Sequence, residues 1–496
     1  LRATPHSRRE RRFWLTLLLV ALAPAWAMAG SLTNTRPNII LILTDDQGYG
    51  QLGCQGSPWL ETPNIDSLYA ESTSFSDFHV SPTCSPTRSA LMTGNVPFRN
   101  GVTHTGGARS RVALSAIMMP QILKKAGYTS GIFGKWHLGL EEKYQPNARG
   151  FDETFVHGSG GIGQPMDVPD NKYFDPVIRH NGTFVKTKGF CTDVFFSQAM
   201  AWIKQNQNKP FFAYISTNAP HGPFIAPPAN SARFKSWGFR GGQPGFYGMI
   251  ENIDENVGRL IAHLKQWNME ENTLVVFMSD NGFVLAGSGV GKIGTRDGKD
   301  IRAYNAGLKG GKKTPHEGGT RVPVFFRWRG VLQEGVEVKA LAAHIDILPT
   351  FVDLAGGTIP AGIDGKSLVP LLEKPDAPWP DRNLFFHIGR WNRKAGPDKS
   401  KYDKKAGFAV RNARYRLVNN EQLHDISSDL GERTNLYAEK PEVAQAMQAA
   451  YDEWWDKVRP CMVNEGSKKM ARNPYHVKYK QQQQKDGIRD WDAPEF

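Results

Sequence analysis

Three short apolar runs, each stopped by a cluster of hydrogen-bonding residues, constrain the fold of this chain more than any other feature. Asn38 to Leu43 in PNIILILTDD runs into Thr44, Asp45 and Asp46. Leu274 to Met278 in NTLVVFMSDNG runs into Asp280, Asn281 and Gly282, and Phe211 to Ile215 in KPFFAYISTNAPHGPF ends near His221. Continuous apolar runs with β-branched residues, bounded by turn formers, belong to strands buried on both faces, as in a parallel sheet. Between them TPNIDSLYAES, MMPQILKKAGYTS and IENIDENVGRLIAHLKQW read as helices, the last with apolar residues at helical spacing from Ile250 to Leu264. Strands alternating with helices predict an α/β fold with a mostly parallel central sheet flanked by helices. Ligands in such folds gather beyond the carboxyl ends of the strands, where all three polar clusters fall.

From residue 374 the texture changes. KPDAPWPDRN is proline-rich and polar; beyond it NLFFHIG, AGFAVRNARYRLVNN and EQLHDI read as short strands, and KPEVAQAMQAAYDEWWDKV as an amphipathic helix. The expected organisation is a large α/β domain over 30–373 and a smaller C-terminal α+β subdomain over 374–466, with a short antiparallel sheet and a helix. An exposed polar tail over 467–496, containing Gln481 to Gln484, follows. Residues 1–29 combine a basic stretch from Arg8 to Arg12, an apolar run from Phe13 to Ala23, and small Ala27 and Ala29. That is the pattern of a secretory signal peptide, with cleavage expected after Ala29. The run is shorter than the about 20 residues of a membrane span and is broken by Pro24. The expectation is an exported protein, periplasmic or secreted, with no integral membrane span in the mature chain.

Charge narrows the partners. The formal net charge is +13, and the five arginines and one glutamate of the first 29 residues leave +9 on the remainder. An exported chain with that surplus attracts polyanions such as acidic polysaccharide, although solubility alone accounts for it equally. No nucleic-acid partner is expected. Four cysteines, Cys54, Cys84, Cys191 and Cys461, are too sparse for a disulfide-stapled scaffold.

The chemistry follows from the residue types at the strand ends. Asp45, Asp46, Asp280 and Asn281 offer hard oxygen donors, which suit Ca²⁺ or Mg²⁺ and do not select zinc. Around them stand cations: Arg88 in CSPTRSALMTG, Lys135 and His137 in GKWHLG, His221 in APHGP, and Lys309, Lys312, Lys313, His316 and Arg321 in LKGGKKTPHEGGTRVP. A metal together with several Lys, Arg and His is a recipe for stabilising a tetrahedral oxyanion ester during transfer, a phosphate or a sulfate.

CSPTRSALMTG resembles the sulfatase signature, in which a cysteine in a Cys-x-Pro-x-Arg setting is oxidised to Cα-formylglycine. PNIILILTDD, GKWHLG, RGFDETF, APHGPF, SDNG, GGKKTPHEGGTRVP, HIDILPTFVDLAG, DGKSLVPLL and HDISSDLGERTNL continue the series in order. The set is similar to the type I, formylglycine-dependent sulfatases of the alkaline-phosphatase-like superfamily, including arylsulfatase-like and polysaccharide sulfatases, along nearly the whole mature chain. Thr87 stands where many relatives have serine and keeps the hydroxyl. The resemblance implies a sulfuric ester hydrolase acting on a sulfated carbohydrate. It implies that Asp45, Asp46, Asp280, Asn281 and the modified Cys84 hold one divalent metal, typically Ca²⁺ with Mg²⁺ as the alternative. Arg88 would support the formylglycine, Lys135 and Lys312 would contact sulfate, and His137 and His221 would handle protons. Lys312 is taken over Lys313 because it lies five residues before Glu317, the family spacing. In the implied mechanism one hydroxyl of the hydrated aldehyde attacks sulfur and His221 protonates the leaving alcohol. His137 then takes a proton from the second hydroxyl, so that sulfate is expelled.

A formylglycine-generating or sulfatase-maturing enzyme is the implied maturation partner. The alternatives are a phosphate or phosphonate monoester hydrolase on the same fold and a non-catalytic sulfated-glycan-binding protein. His104, Arg390 and Trp391 are candidate substrate contacts, as an anion-binding and sugar-stacking wall.

Overall fold

The computed structural model describes residues 31–496 apart from 286–291, 297, 390–403, 405–406 and 466–471. The expected signal segment therefore lies outside the described residues. Among the described residues an eleven-stranded sheet forms the centre. Its centre is the parallel set Thr273–Ser279, Asn38–Thr44, Phe211–Ser216, Thr129–Lys135 and Glu153–His157, in that spatial order. On one side antiparallel Val324–Arg327, then Thr73–Phe75 and Val336–Val338, extend it. On the other side come Val177–His180, Thr183–Lys186 and Arg489–Asp490.

Side chains alternate across a strand, and here both faces are covered. Ile39, Leu41 and Leu43 share one core with Phe212, Tyr214, Leu274, Val276 and Met278, beneath helices Met119–Lys125 and Ile347–Leu354. Ile40 and Ile42 share the other with Phe211, Ala213, Ile215, Val275 and Phe277, beneath helices Cys191–Gln205 and Gln243–Gln266. A strand dry on both sides has no place for a polar side chain until it ends. The register sets Leu43 beside both Ser216 and Met278, so the three runs finish at one level and their polar ends meet.

The C-terminal sheet is antiparallel, Leu384–His387, Phe408–Arg411, Tyr415–Val418 and Gln422–Asp425. One face packs Val410, Leu417 and Leu423 on Met447, Tyr451 and Trp455 of helix Pro441–Val458. The other packs Leu384, Phe386, Ala409 and Val418 on Ala90, Leu341, Ala343 and Ile345 of the main domain. Ala90 belongs to helix Cys84–Thr93, so this sheet sits directly behind the helix that carries Cys84. The described helices include none long and apolar enough to cross a membrane.

The polar C-terminal segment is largely exposed, but it is also helical and docked on the main domain. Helix Pro474–Lys485 buries Tyr475, whose ring meets Phe184 edge-on at 5.5 Å between centroids. The Gln482 amide accepts from Phe184 N at 2.7 Å and donates to Phe184 O at 2.8 Å, standing in for a strand partner. Arg489–Asp490 then closes the sheet edge against Val185 and Lys186. Tyr479, one turn on, meets the same Phe184 at 5.6 Å, and Trp491 meets Phe155 at 5.6 Å; a few aromatics in a Lys- and Gln-rich stretch do not mark a buried face. Tyr475→Ala is expected to cost about 3 kcal/mol of unfolding free energy in a denaturant titration; a loss below about 0.5 kcal/mol contradicts a docked segment.

Candidate active site

Cys84 is the first residue of the ten-residue helix Cys84–Thr93, whose side chains are all buried. Pro86 is tolerated there because the first-turn N–H groups have no intrahelical partner. The helix N-terminus, with its partial positive charge, is thereby aimed at the level where the strands end. Cys84 Sγ lies 3.8 Å from Asp46 Oδ1, and Asp45, Asp46, Cys84 and Asp280 each offer a ligand atom within 4.8 Å of the others. Asn281 joins them, donating from Nδ2 to Asp46 Oδ1 at 2.9 Å. Asp46 takes a left-handed backbone, φ 73°, and its N–H is held by Asp280 Oδ1 at 3.2 Å.

Three carboxylates buried together repel one another, and three cations answer them. Arg88 pairs with Asp280 Oδ2 through Nε at 3.0 Å and Nη2 at 2.8 Å, and its Nη1 donates to Lys135 O at 3.1 Å and to Ser216 Oγ. Lys135 Nζ contacts Asp45 Oδ2, and Lys312 Nζ contacts Asp46 Oδ1. Burial, then the neighbouring Asp45, pushes the Asp280 carboxyl up to about 6 against the pull of Arg88 and Lys135. Asp46 goes the other way: burial raises it, but Lys312, His221 and Lys135 together hold it well below the usual carboxylate range. The Cys84 thiol is pushed up by burial and by Asp280 and Asp45.

The histidines present defined nitrogens. His221 Nδ1 lies 2.7 Å from Gly222 O, a carbonyl that only accepts, so the proton sits there and Nε2 faces Asp46 Oδ2 at 3.7 Å. His137 Nε2 donates to Thr105 O at 2.8 Å, leaving a buried Nδ1 without a hydrogen bond. Its carbonyl accepts from Ser85 Oγ at 3.0 Å, which ties it to the Cys84 helix. Burial lowers His221 to about 4, with Lys135 and Lys312 opposing the pull of Asp46. Burial, Lys135 and Arg88 lower His137 well below its ordinary value.

Asp45 Oδ1, Asp46 Oδ2 and Asn281 Oδ1 are buried acceptors with no hydrogen-bond partner. Such groups are rare because each is costly; Asp45 and Asp46 belong to the cluster whose ligand atoms lie within 4.8 Å of one another, and oxygens of this kind fit a hard divalent cation. The second cluster, Asp77, His79 and Glu317, is different. Arg321 and Arg411 both bind Asp77 and Glu317, and Arg416 adds to Glu317, so its oxygens are already occupied by cations.

The structure thus brings Asp45, Asp46, Cys84, Arg88, Lys135, His221, Asp280, Asn281 and Lys312 into one cluster, with His137 beside it. His104 lies in the turn that supplies Thr105 O, and its Nδ1 accepts from Gly106 N at 3.0 Å. Arg390 and Trp391 lie outside the described residues. Ser216 and Thr105 were not anticipated; Ser216 was findable as the polar residue that closes the Phe211–Ser216 strand.

A family model described as sulfatase matches residues 37–357, spanning the whole cluster from Asp45 to Lys312. The chain belongs to the sulfatase family. It is a sulfuric ester hydrolase on the alkaline-phosphatase-like fold. A second model, N-sulphoglucosamine sulphohydrolase, C-terminal, matches residues 311–458. N-acetylgalactosamine-6-sulfatase of Homo sapiens is 35% identical over 380 residues, covering 71% of this sulfatase and 68% of that protein. Arylsulfatase A of Homo sapiens is 30% identical over 490 residues, covering 87% and 89%. Ps i-CgsB, whose structure is also known in complex with k-i-k-neocarrahexaose, superposes with a TM-score of 0.74 at 30% identity, covering 91% of this chain and 98% of that one. A phosphonate monoester hydrolase of Agrobacterium radiobacter shares the fold, with a TM-score of 0.57 at 20% identity.

Arg88→Met is expected to leave Asp280 buried without its partner and to lower unfolding stability by about 3–5 kcal/mol, read by denaturant titration. A change under about 1 kcal/mol contradicts the pairing as the brace of the site.

Proposed function

We propose that this sulfatase removes sulfate from a sulfated carbohydrate, using a formylglycine formed from Cys84 and one divalent metal, Ca²⁺ in preference to Mg²⁺. The observation that carries the proposal is the gathering of Asp45, Asp46 and Asp280 around Cys84, with Arg88, Lys135 and Lys312 on their carboxylates. The relatives named for an amino-sugar 6-sulfate and the structure holding a neocarrahexaose support a carbohydrate ester. The leader-like residues 1–29 support export, periplasmic or secreted.

Asp45, Asp46, Asp280, Asn281 and the modified Cys84 would hold the metal, which supplies positive charge for the sulfate oxygens. The hydrated formylglycine supplies a nucleophilic oxygen and a second hydroxyl, which a plain serine would lack. Lys135 and Lys312 exchange part of their contact with Asp45 and Asp46 for the incoming sulfate, stabilising charge in a site from which water is excluded. Arg88 fixes Asp280 and the strand ends. His221 carries a proton on Nε2 to the leaving alcohol; bound sulfate raises its proton affinity, as any nearby negative charge does. His137 keeps Nδ1 free to take a proton, its tautomer set by Thr105. Arg390, Trp391 and His104 remain the proposed substrate wall.

The test is sulfate release from sulfated mono- and oligosaccharides by protein co-expressed with a formylglycine-generating enzyme. Turnover is expected for at least one of these, with Cys84→Ala lowering kcat by about 10³-fold or more; full rate in that variant, or no release from any sulfated sugar, overturns the reading. Dialysis against EDTA is expected to abolish turnover and added Ca²⁺ to restore it. A rate unchanged by chelation removes the metal from the account.

A further inference from the structure

Lys312 has no regular secondary structure under it. It lies in the glycine-rich stretch Lys309–Glu317, where Gly310 and Lys313 both take positive φ, 76° and 71°, yet its side chain is 7% exposed and its ammonium rests on Asp46. A glycine-rich loop loses much conformational entropy when ordered, so something must hold it.

The main domain holds it through Lys312 N to Phe283 O at 3.1 Å and Lys313 N to Pro82 O at 2.9 Å, and through Asn305 Nδ2 to Gly310 O at 2.9 Å and Gly318 N to Lys309 O at 2.8 Å. The C-terminal subdomain adds contacts from outside on both flanks. Lys309 Nζ donates to Gln422 Oε1 at 2.8 Å and to Glu432 O at 3.4 Å. Arg416 Nη1 donates to Pro315 O. Glu432 spreads its carboxylate over two neighbours: Oε1 accepts from Glu317 N at 2.6 Å, and Oε2 lies 2.6 Å from His316 Nδ1. Glu432 is 2% exposed and takes φ 51°, a backbone state that side chains other than Gly, Asn and Asp seldom adopt. Behind it the Glu317 carboxylate receives Arg321 Nε at 2.8 Å, Arg411 Nε at 3.0 Å and Arg416 Nε at 2.8 Å, fastening the loop's end to two strands of the C-terminal sheet.

We propose that Glu432 is a positioning residue for Lys312: the C-terminal subdomain clamps both flanks of the Lys309–Glu317 loop and so sets the lysine against the reacting ester. This rests on the role given to Lys312 above. Glu432 touches neither the carboxylate cluster nor the substrate position, and it acts through the loop alone.

The experiment is a double-mutant cycle in kcat and KM on a small aryl sulfate, using the full matured chain below its unfolding temperature. Glu432→Ala is expected to lower kcat roughly tenfold with KM little changed, and Glu432→Gln, which keeps an acceptor for Glu317 N, to retain most of the rate. In a Lys312→Ala background the Glu432→Ala penalty is expected to vanish, because the side chain it positions is gone. A merely structural residue would lower stability and leave the two penalties multiplicative. That multiplicative result, with Lys312→Ala itself costly, overturns the clamp alone; a Lys312→Ala variant with unchanged kcat overturns the role of Lys312 and the clamp with it. Lys309→Met, at a half-buried site away from the ion network around Glu317, repeats the cycle if Glu432→Ala does not fold. It is expected to show the same loss of penalty, and independence from Lys312 overturns the proposal.

Discussion

Mutual repulsion among Asp45, Asp46 and Asp280 is the constraint on which the rest of the structure depends. Carboxylates buried this close are tolerated only with cations at hand, and each cation arrives from a different part of the chain: Arg88 from the helix headed by Cys84, Lys135 from a strand end, Lys312 from a loop. The fold solves this by ending its parallel strands at one level and burying both sheet faces, so that polar side chains accumulate only at that edge. Even so, Asp45 Oδ1, Asp46 Oδ2 and Asn281 Oδ1 have no hydrogen-bond partner. Oxygens of this kind are acceptors that a hard cation can satisfy.

The same physics decides what could be read in advance. The central strands were legible because a strand dry on both faces must be written as an unbroken apolar run, and its end must be polar. Asp45, Asp46, Asp280 and Asn281 were therefore legible as polar strand ends, and the structure brings them together. The short C-terminal strands and the helix Pro441–Val458 were legible from alternation and helical spacing. Helix Cys84–Thr93 was not: its serines, threonines and arginine are buried by neighbouring elements, and local periodicity says nothing about that. The docking of Tyr475, Tyr479 and Gln482 was equally hidden, since two tyrosines in a Lys- and Gln-rich stretch do not announce a buried face.

Long-range ion pairing was the least legible layer. Glu317 lies about a hundred residues from Arg411 and Arg416 in sequence, and nothing local to any of them announces the partner. Their meeting makes the C-terminal sheet more than an appendage. One face closes its own core with Tyr451 and Trp455, the other packs on Ala90 behind Cys84, and its strands and following turn grip the loop of Lys312. The second family model, covering 311–458, joins that loop and the sheet in one unit, in keeping with this coupling.

Everything in the chemical account turns on what stands at position 84. The most direct test is mass spectrometry of the Cys84-containing peptide from protein made in its native host. A mass about 18 Da below that of the cysteine peptide is expected, the change from thiol to aldehyde at an activated nucleophile. An intact thiol in native, fully folded protein would contradict a formylglycine formed from Cys84.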